Sequence, residues 1–247
     1  MLEINKVYHG DCLKVMQGIP DKSIDMINCD LPYGTTACKW DTIIPFEPLW
    51  EQYKRIIKDN GAIVLSASQP FTSKLVMSNL KMFKYEWIWA KSKATGHLDS
   101  NRKPLRSHEN ILVFYKNLPT YNPQMTKGEK HHRSQKKQSK QTEVYGRFKF
   151  DLYYSDEYYP KTIQFKNVQE NAIHPTQKPV ALYEYLIRTY TNEGDTVLDN
   201  CAGSGTTAIA CINLNRNYIL IEKEKKYVDI CNQRIREAQQ QTRIDFK

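Results

Sequence analysis

Residues 195–222 constrain the fold more than any other stretch of this 247-residue chain. Asp195-Thr196-Val197-Leu198-Asp199 reads as a buried strand of a parallel sheet. It runs into the glycine-bearing turn Asn200-Cys201-Ala202-Gly203-Ser204-Gly205-Thr206-Thr207 and then into an apolar helical stretch, 208–214. Tyr218-Ile219-Leu220-Ile221-Glu222 gives a further strand that ends in an acid. Strand, glycine turn, helix and strand form the unit that brings backbone close to a nucleotide-like ligand. Glu222 follows Asp199 by 23 residues, near the offset of about 20 at which an acid reaches ribose hydroxyls in dinucleotide folds. A lone Gly-x-Gly signals only a tight turn. Between two acid-terminated strands it says more.

A second strand ends in a different chemistry. Ile24-Asp25-Met26-Ile27-Asn28-Cys29 is followed by Asp30-Leu31-Pro32-Tyr33. An acid, a proline and an aromatic thus stand at the strand edge where open α/β sheets bind ligands. The combination suits a flat base carrying an amino group. Asp30 accepts a hydrogen bond from the amine, the Pro32 region supplies a rigid carbonyl, and Tyr33 offers a ring for stacking. The lone pair of such an aromatic amine is delocalised, so it is a poor nucleophile. Acceptors on both amino hydrogens favour a tetrahedral nitrogen, because they strengthen as positive charge develops.

Together these motifs resemble the β-class amino-methylating DNA methyltransferases, with the catalytic tetrapeptide first and the glycine motif near the C-terminus. Three more segments carry the resemblance: Gly10-Asp11-Cys12, Ser107-His108-Glu109-Asn110-Ile111-Leu112-Val113-Phe114 and His174-Pro175-Thr176-Gln177-Lys178-Pro179. It implies a Rossmann-like class I methyltransferase, α/β, with a mostly parallel sheet flanked by helices, permuted motif order and a small inserted target-recognition region. The expected division is a catalytic half, 1–115, a recognition region with a basic flexible arm, 116–173, and a cofactor-binding half, 174–247. The implied cofactor is S-adenosyl-L-methionine. Asp11 and Cys12 are expected near its adenine. Asp30, Asp199, Ala202, Gly203 and Gly205 are expected along its ribose and methionine. Ser204, Thr206, His174, Thr176 and Lys178 are expected at its carboxylate end, and Glu222 on its ribose. The catalytic residues are expected to be Asp30, Pro32 and Tyr33. Two positions depart from the family pattern: Leu31 replaces the usual first proline of the tetrapeptide, and Cys201 replaces a phenylalanine before the glycines.

The expected reaction is methyl transfer to N6 of a flipped adenine in site-specific DNA methylation, with cytosine N4 as the alternative. Asp at the head of the tetrapeptide favours adenine, since the cytosine enzymes often carry Ser there. A nicotinamide-dependent oxidoreductase is a more distant rival, with Ala208 where the third glycine would stand, and it leaves Asp30 to Tyr33 unexplained. A decayed, non-enzymatic DNA-binding protein is another, against which Asp30, Tyr33 and Glu222 all stand intact. The expected partners are DNA, a second copy of the chain and a cognate restriction endonuclease.

The charge agrees with a polyanionic partner. The formal net charge is +9, and residues 116–149 hold nine Lys or Arg against Glu129 and Glu143. DNA contacts are expected from Lys127, Lys130, Arg133, Lys136, Lys137 and Lys140 in this stretch. Arg102, Lys103 and Arg106 are expected on a second polar connection, 91–108. Six cysteines without a Cys-x-x-Cys pair suggest neither a zinc site nor a disulfide framework. His131-His132, among basic neighbours, reads as solvated loop, so no metal is expected. The sequence shows no signal peptide or long apolar span, and a cytoplasmic prokaryotic or phage protein is expected.

Apolar periodicity adds helices near 48–58, 70–80, 179–190 and 225–240, and strands near 62–66, 85–90 and 110–115. Trp87 and Trp89 alternate with Ile88 and are expected in the core.

Overall fold

The computed structural model describes residues 2–36, 38, 40–132, 140–142, 146–148, 154–168 and 177–245. The elements run β1 (Lys6–His9), α1 (Cys12–Val15), β2 (Ile24–Asp30), α2 (Phe46–Ile56), β3 (Ile57–Ala67), α3 (Phe71–Ser78), β4 (Phe83–Thr95) and β5 (Arg106–Phe114). They continue with β6 (Thr126–His132), β7 (Lys140–Thr142), β8 (Gly146–Phe148), β9 (Tyr154–Tyr158) and β10 (Ile163–Lys166). The C-terminal part holds α4 (Val180–Tyr190), β11 (Thr196–Asp199), α5 (Thr206–Asn213), β12 (Asn217–Glu222) and α6 (Lys225–Asp245).

Two compact units result. One comprises Met1–Asn122 and Thr162–Lys247 and contains an eight-stranded sheet in the order β1-β12-β11-β2-β3-β5-β4-β10. Strands β1, β12, β11, β2 and β3 pair in parallel, β5 is antiparallel to both β3 and β4, and β10 is parallel to β4. The other unit, Pro123–Lys161, lies inside the 116–173 span and holds two antiparallel pairs, β6 with β9 and β7 with β8.

The large sheet is covered on both faces, which is why its strands read as near-continuous apolar runs. On one face Ile63, Leu65, Leu112 and Phe114 meet Leu49, Trp50, Tyr53 and Ile56 of α2 and Phe71 and Leu75 of α3. On the other face Val64, Ile111 and Val113 meet Leu182, Tyr183, Leu186, Ile187 and Tyr190 of α4 and Ala208 and Cys211 of α5. Residues i and i+2 of β3 and β5 share a face, as strand geometry requires. Trp87 and Trp89 are buried in the second core, as expected. Each large side chain fully removed from water contributes about 1.5–3 kcal/mol.

The sheet order explains where a ligand fits. β11 leads through α5 to β12 on one side, and β2 leads through α2 to β3 on the other. β11 and β2 are neighbours, with Leu198 opposite Ile27. Their carboxyl ends therefore flank a topological switch point, where a crevice opens because successive connections diverge.

The connection 91–108 is shorter than expected. β4 continues to Thr95 and β5 begins at Arg106, leaving a link of ten residues that includes a single helical turn at His97–Asp99. The exposed outer ends of both strands carry polar side chains because they reach past the core, and so lack an apolar signature. The last helix also runs past 240, to Asp245. No described helix is long and apolar enough to cross a membrane.

Candidate active site

One cavity of about 270 Å3 lies at the switch point, near the lower end of the roughly 300–1,000 Å3 usual for small-molecule sites. Asp11, Cys12, Asp30, Pro32, Tyr33, Lys178, Asp199, Ala202, Gly203, Ser204, Thr206 and Glu222 all line it. The structure thus brings the acid–proline–aromatic corner and the glycine turn, some 170 residues apart in sequence, to one space. Leu13, Ile43, Ile44 and Pro45 add apolar wall.

The part of the lining around the glycine turn is built from backbone donors and three carboxylates, Glu222, Asp199 and Asp11. Glu222, at the end of β12, accepts from Gly203 N at 2.7 Å through Oε2 and from Glu224 N at 2.7 Å through Oε1. These two bonds fix its orientation, while burial pushes its carboxyl above the ordinary carboxylate range. Asp199 accepts from Thr207 Oγ1 at 2.5 Å and from Cys201 N at 3.1 Å, and burial pushes it up to about 6. Tyr53 donates to Asn200 Oδ1 at 2.6 Å and pins the turn to α2. Asp11 caps α1, accepting from Leu13 N at 3.0 Å and Lys14 N at 3.3 Å. An acid beside apolar walls and close-lying glycine backbone fits a nucleoside with a charged tail, so these residues suit S-adenosylmethionine.

Gly205 differs from the expectation. It does not line the cavity. It precedes α5 with φ +79°, and a Cβ there would stand 2.3 Å from Cys231 Sγ. Its requirement is conformational and steric, so it supports the turn from behind. Gly205→Ala combines a left-handed backbone cost of about 1–2 kcal/mol with overpacking of about 1–3 kcal/mol. At roughly 2–4 °C per kcal/mol, a melting temperature lower by about 5–15 °C is expected by differential scanning calorimetry. An unchanged melting temperature would contradict this account of the turn.

The corner at the tetrapeptide is a buried ionic cluster. Lys178 Nζ lies 2.5 Å from Asp30 Oδ2, and Tyr33 donates its hydroxyl to Asp30 Oδ1 at 2.6 Å. Burial pushes the Asp30 carboxyl up, and Lys178 offsets much of that. Lys178, placed by sequence at the methionine carboxylate, is thus engaged with the acid of the tetrapeptide and with Glu109 at 3.3 Å. Despite burial, the two acids hold its ammonium above the ordinary lysine range. Tyr33 stacks on Phe71, with centroids 5.1 Å apart and planes at 24°, and the Lys178 ammonium stands 5.7 Å from the ring centre.

The Tyr33 hydroxyl bond was not legible in the sequence, where the ring alone stood out. Tyr33→Phe keeps the ring on Phe71 but removes a hydrogen bond to a charged group, worth about 1.5–3 kcal/mol. A fall in kcat of about 10-fold is expected in a tritium-transfer assay, with Tyr33→Ala falling further. Wild-type turnover by the phenylalanine variant would show that the hydroxyl does nothing.

Sequence reasoning also missed Asp41. Its carboxylate, 8% exposed, accepts from the backbone N–H groups of Gly34, Thr35 and Thr36 at 2.9, 2.9 and 2.7 Å. These bonds, together with that of the Thr36 side chain, hold its carboxyl below the usual range against the effect of burial. They tie down the loop after the tetrapeptide, and nothing in its spacing announces it. His174 and Thr176 lie outside the described residues, as do Arg133, Lys136 and Lys137. Lys127, Lys130, Arg102, Lys103 and Arg106 are exposed, and Lys103 pairs with Asp99 at 2.8 Å. Lys140 lies in β7. Among the described residues, no group of three or more His, Cys, Asp or Glu is arranged to hold a metal ion.

Comparison with known proteins agrees with this geometry. A family model described as DNA methylase, N6_N4_Mtase, matches residues 24–233. The chain is 31% identical to the type II methyltransferase M.BglII of Bacillus subtilis, over 93% of the chain and 68% of that protein. It is 29% identical to the type II methyltransferase M.HinfI of Haemophilus influenzae, over 95% and 69%. The crystal structure of an M1.HpyAVI–SAM complex superposes with a TM-score of 0.63 at 26% identity, covering 93% of this chain and 98% of that one. PvuII DNA methyltransferase (cytosine-N4-specific) shares the fold, with a TM-score of 0.67 at 15% identity, covering 94% and 86%. With its two motifs on one cavity and its sequence matched over most of its length, the chain belongs to the β-class, S-adenosylmethionine-dependent DNA methyltransferases of the N6-adenine/N4-cytosine family.

Proposed function

We propose that the protein methylates the exocyclic N6 amine of adenine at specific sites in DNA. The observation that carries this reading is Asp30, an acid oriented by Tyr33 and Lys178, in the same cavity as the Glu222 and Gly203 turn. Glu222, Ala202, Gly203, Asp11 and Cys12 would hold the nucleoside part of the cofactor, and Ser204 and Thr206 its charged tail. Bound S-adenosylmethionine supplies an electrophilic methyl group on a sulfonium.

The protein's own groups then act on the amine. Asp30 and the Pro32 carbonyl each accept a hydrogen bond from the amine and turn its lone pair toward the methyl donor. These bonds strengthen as the nitrogen becomes positive, which lowers the barrier. Holding amine and donor in line adds a proximity effect. The target base leaves the duplex to reach the cavity, at a cost of a few kcal/mol, about what contact with the Tyr33 side chain returns. Residues 116–173 read the target sequence, and their lysines and arginines, with Arg102, Lys103 and Arg106, contact phosphates. If about six phosphates are neutralised, log affinity falls with log salt at a slope of about −5. A fluorescence anisotropy titration giving a slope near zero would remove the basic arm from the account.

Adenine is preferred to cytosine on the acid that opens the tetrapeptide. Nucleoside digestion and mass spectrometry of DNA methylated by the purified protein tests this. N6-methyladenine is expected, and N4-methylcytosine as the product would overturn it.

A further inference from the structure

Four charged side chains form a buried row that runs away from the cavity. Asp30 Oδ2 and Lys178 Nζ are 2.5 Å apart, Lys178 Nζ and Glu109 Oε2 are 3.3 Å apart, and Glu109 Oε1 and Lys91 Nζ are 2.5 Å apart. Their side chains are 18, 6, 13 and 7% exposed in that order. Acid and base alternate, so the row is neutral. Asp30 and Lys178 line the cavity, whereas Glu109 and Lys91 do not. The second pair therefore acts on a ligand only through the first.

Stability is a weak reason for such a row. Taking charges out of water costs several kcal/mol per ion, and apolar side chains of similar volume often serve the fold as well. The arrangement is also rigidly built. Glu109 sits opposite Trp89 in the β4–β5 register, and Lys91 Nζ stands 5.3 Å from the ring centre of that buried tryptophan. The two strands thus bring an acid to the back of Lys178 and a second base to the back of that acid.

We propose that Glu109, anchored by Lys91, is a positioning residue for methyl transfer: it shares the Lys178 ammonium with Asp30 and so sets how strongly Asp30 accepts a hydrogen from the target amine. The proposal rests on Asp30 being the amine acceptor. Without Glu109, Lys178 belongs to Asp30 alone. The carboxylate is then more fully neutralised, and it competes less well for the amine.

The direction of the pH effect follows from the charges around Asp30. Lys178 and Tyr33 touch it, Glu109 stands behind Lys178, Asp199 ends the neighbouring strand β11, and Tyr183 approaches from α4. Glu109 is the like charge behind the lysine. Removing it lowers the pKa of Asp30 and moves the acid limb of the rate profile, where the acceptor becomes protonated, to lower pH.

The test compares Glu109→Gln, the charge-balanced Glu109→Gln/Lys91→Met, the charge-keeping Glu109→Asp and Asp30→Asn in steady-state and single-turnover methylation across the acid limb. Calorimetric binding of S-adenosylmethionine checks each fold. Both Glu109→Gln variants are expected to bind cofactor, keep the KM for DNA, lose about 10-fold in kcat and show the acid limb at lower pH. Glu109→Asp is expected to return the limb toward its wild-type place. A folded double variant with wild-type kcat, or with a lower kcat and an unmoved limb, overturns the proposal, because a structural role alone leaves the limb in place. Asp30→Asn separates the two readings. Wild-type turnover there removes the acceptor role and the Glu109 role with it. An inactive Asp30→Asn beside an unshifted Glu109 double variant removes the Glu109 role alone.

Discussion

Asp30→Ala is expected to lower kcat for methyl transfer by about 100- to 1,000-fold while S-adenosylmethionine still binds. The expectation comes from position. Asp30 ends β2, whereas Glu222 ends β12 and Ala202 and Gly203 sit in the turn after β11, so its removal leaves those three residues in place. In the proposed mechanism Asp30 is the acceptor whose bond to the amine tightens as charge develops. Among the described residues, the variant leaves the Lys178 ammonium with Glu109 as its remaining acid partner. Removing one partner of a buried pair costs about 3–5 kcal/mol, so a lower melting temperature accompanies the kinetic loss. Binding by calorimetry and turnover with tritiated cofactor distinguish the two effects. Normal turnover by a folded Asp30→Ala protein would refute the assignment.

The second large effect concerns Glu222. Glu222→Gln is expected to weaken cofactor binding by about 10- to 150-fold, the loss that accompanies a broken hydrogen bond to a charged group. Glutamine is not a mild change here. Both Glu222 oxygens accept from backbone N–H groups, those of Gly203 and Glu224. A carboxamide must turn its NH2 toward one of them, donor against donor. The turn that cradles the cofactor then shifts, and the ribose loses its acceptor. The wild-type protein should follow the same logic with pH. Burial raises the Glu222 pKa, so the ionised acceptor is present above that raised value and is lost as pH falls through it. Isothermal titration of S-adenosylmethionine checks the variant, and an unchanged Kd would show that the ribose lies elsewhere.

The sheet was legible because both its faces are covered. Tyr218 to Ile221 is a continuous apolar run and Ile24 to Cys29 one broken only by Asp25 and Asn28, a pattern typical of parallel strands buried on both faces. The glycine turn and the two terminal acids were legible for a local reason, since strand end, turn and helix start follow one another in the chain. What escaped was long-range or conformational. Glu109 lay in a recognised block, yet nothing in its sequence neighbourhood points to Lys178 or Lys91. Lys91 and Glu109 meet through the β4–β5 register, and Lys178 arrives on the segment that enters α4, a helix packed on the same sheet. Asp41 is a short-range partner of three N–H groups, but an Asp after a loop tryptophan has many other uses. Gly205 was counted with the ligand-facing glycines because spacing does not tell a residue that faces a cavity from one that faces Cys231. The polar ends of β4 and β5 read as loop, since strand patterning fades where one face has no core to meet.

The measurement that bears most directly on the account is a crystal structure of the protein with S-adenosylmethionine bound. The ribose hydroxyls are expected on the Glu222 carboxylate, and the sulfonium methyl is expected to face the edge formed by Asp30 and Pro32, within reach of an amine held there. A cofactor seated outside this crevice, or one whose methyl points away from Asp30 while its ribose avoids Glu222, would contradict it.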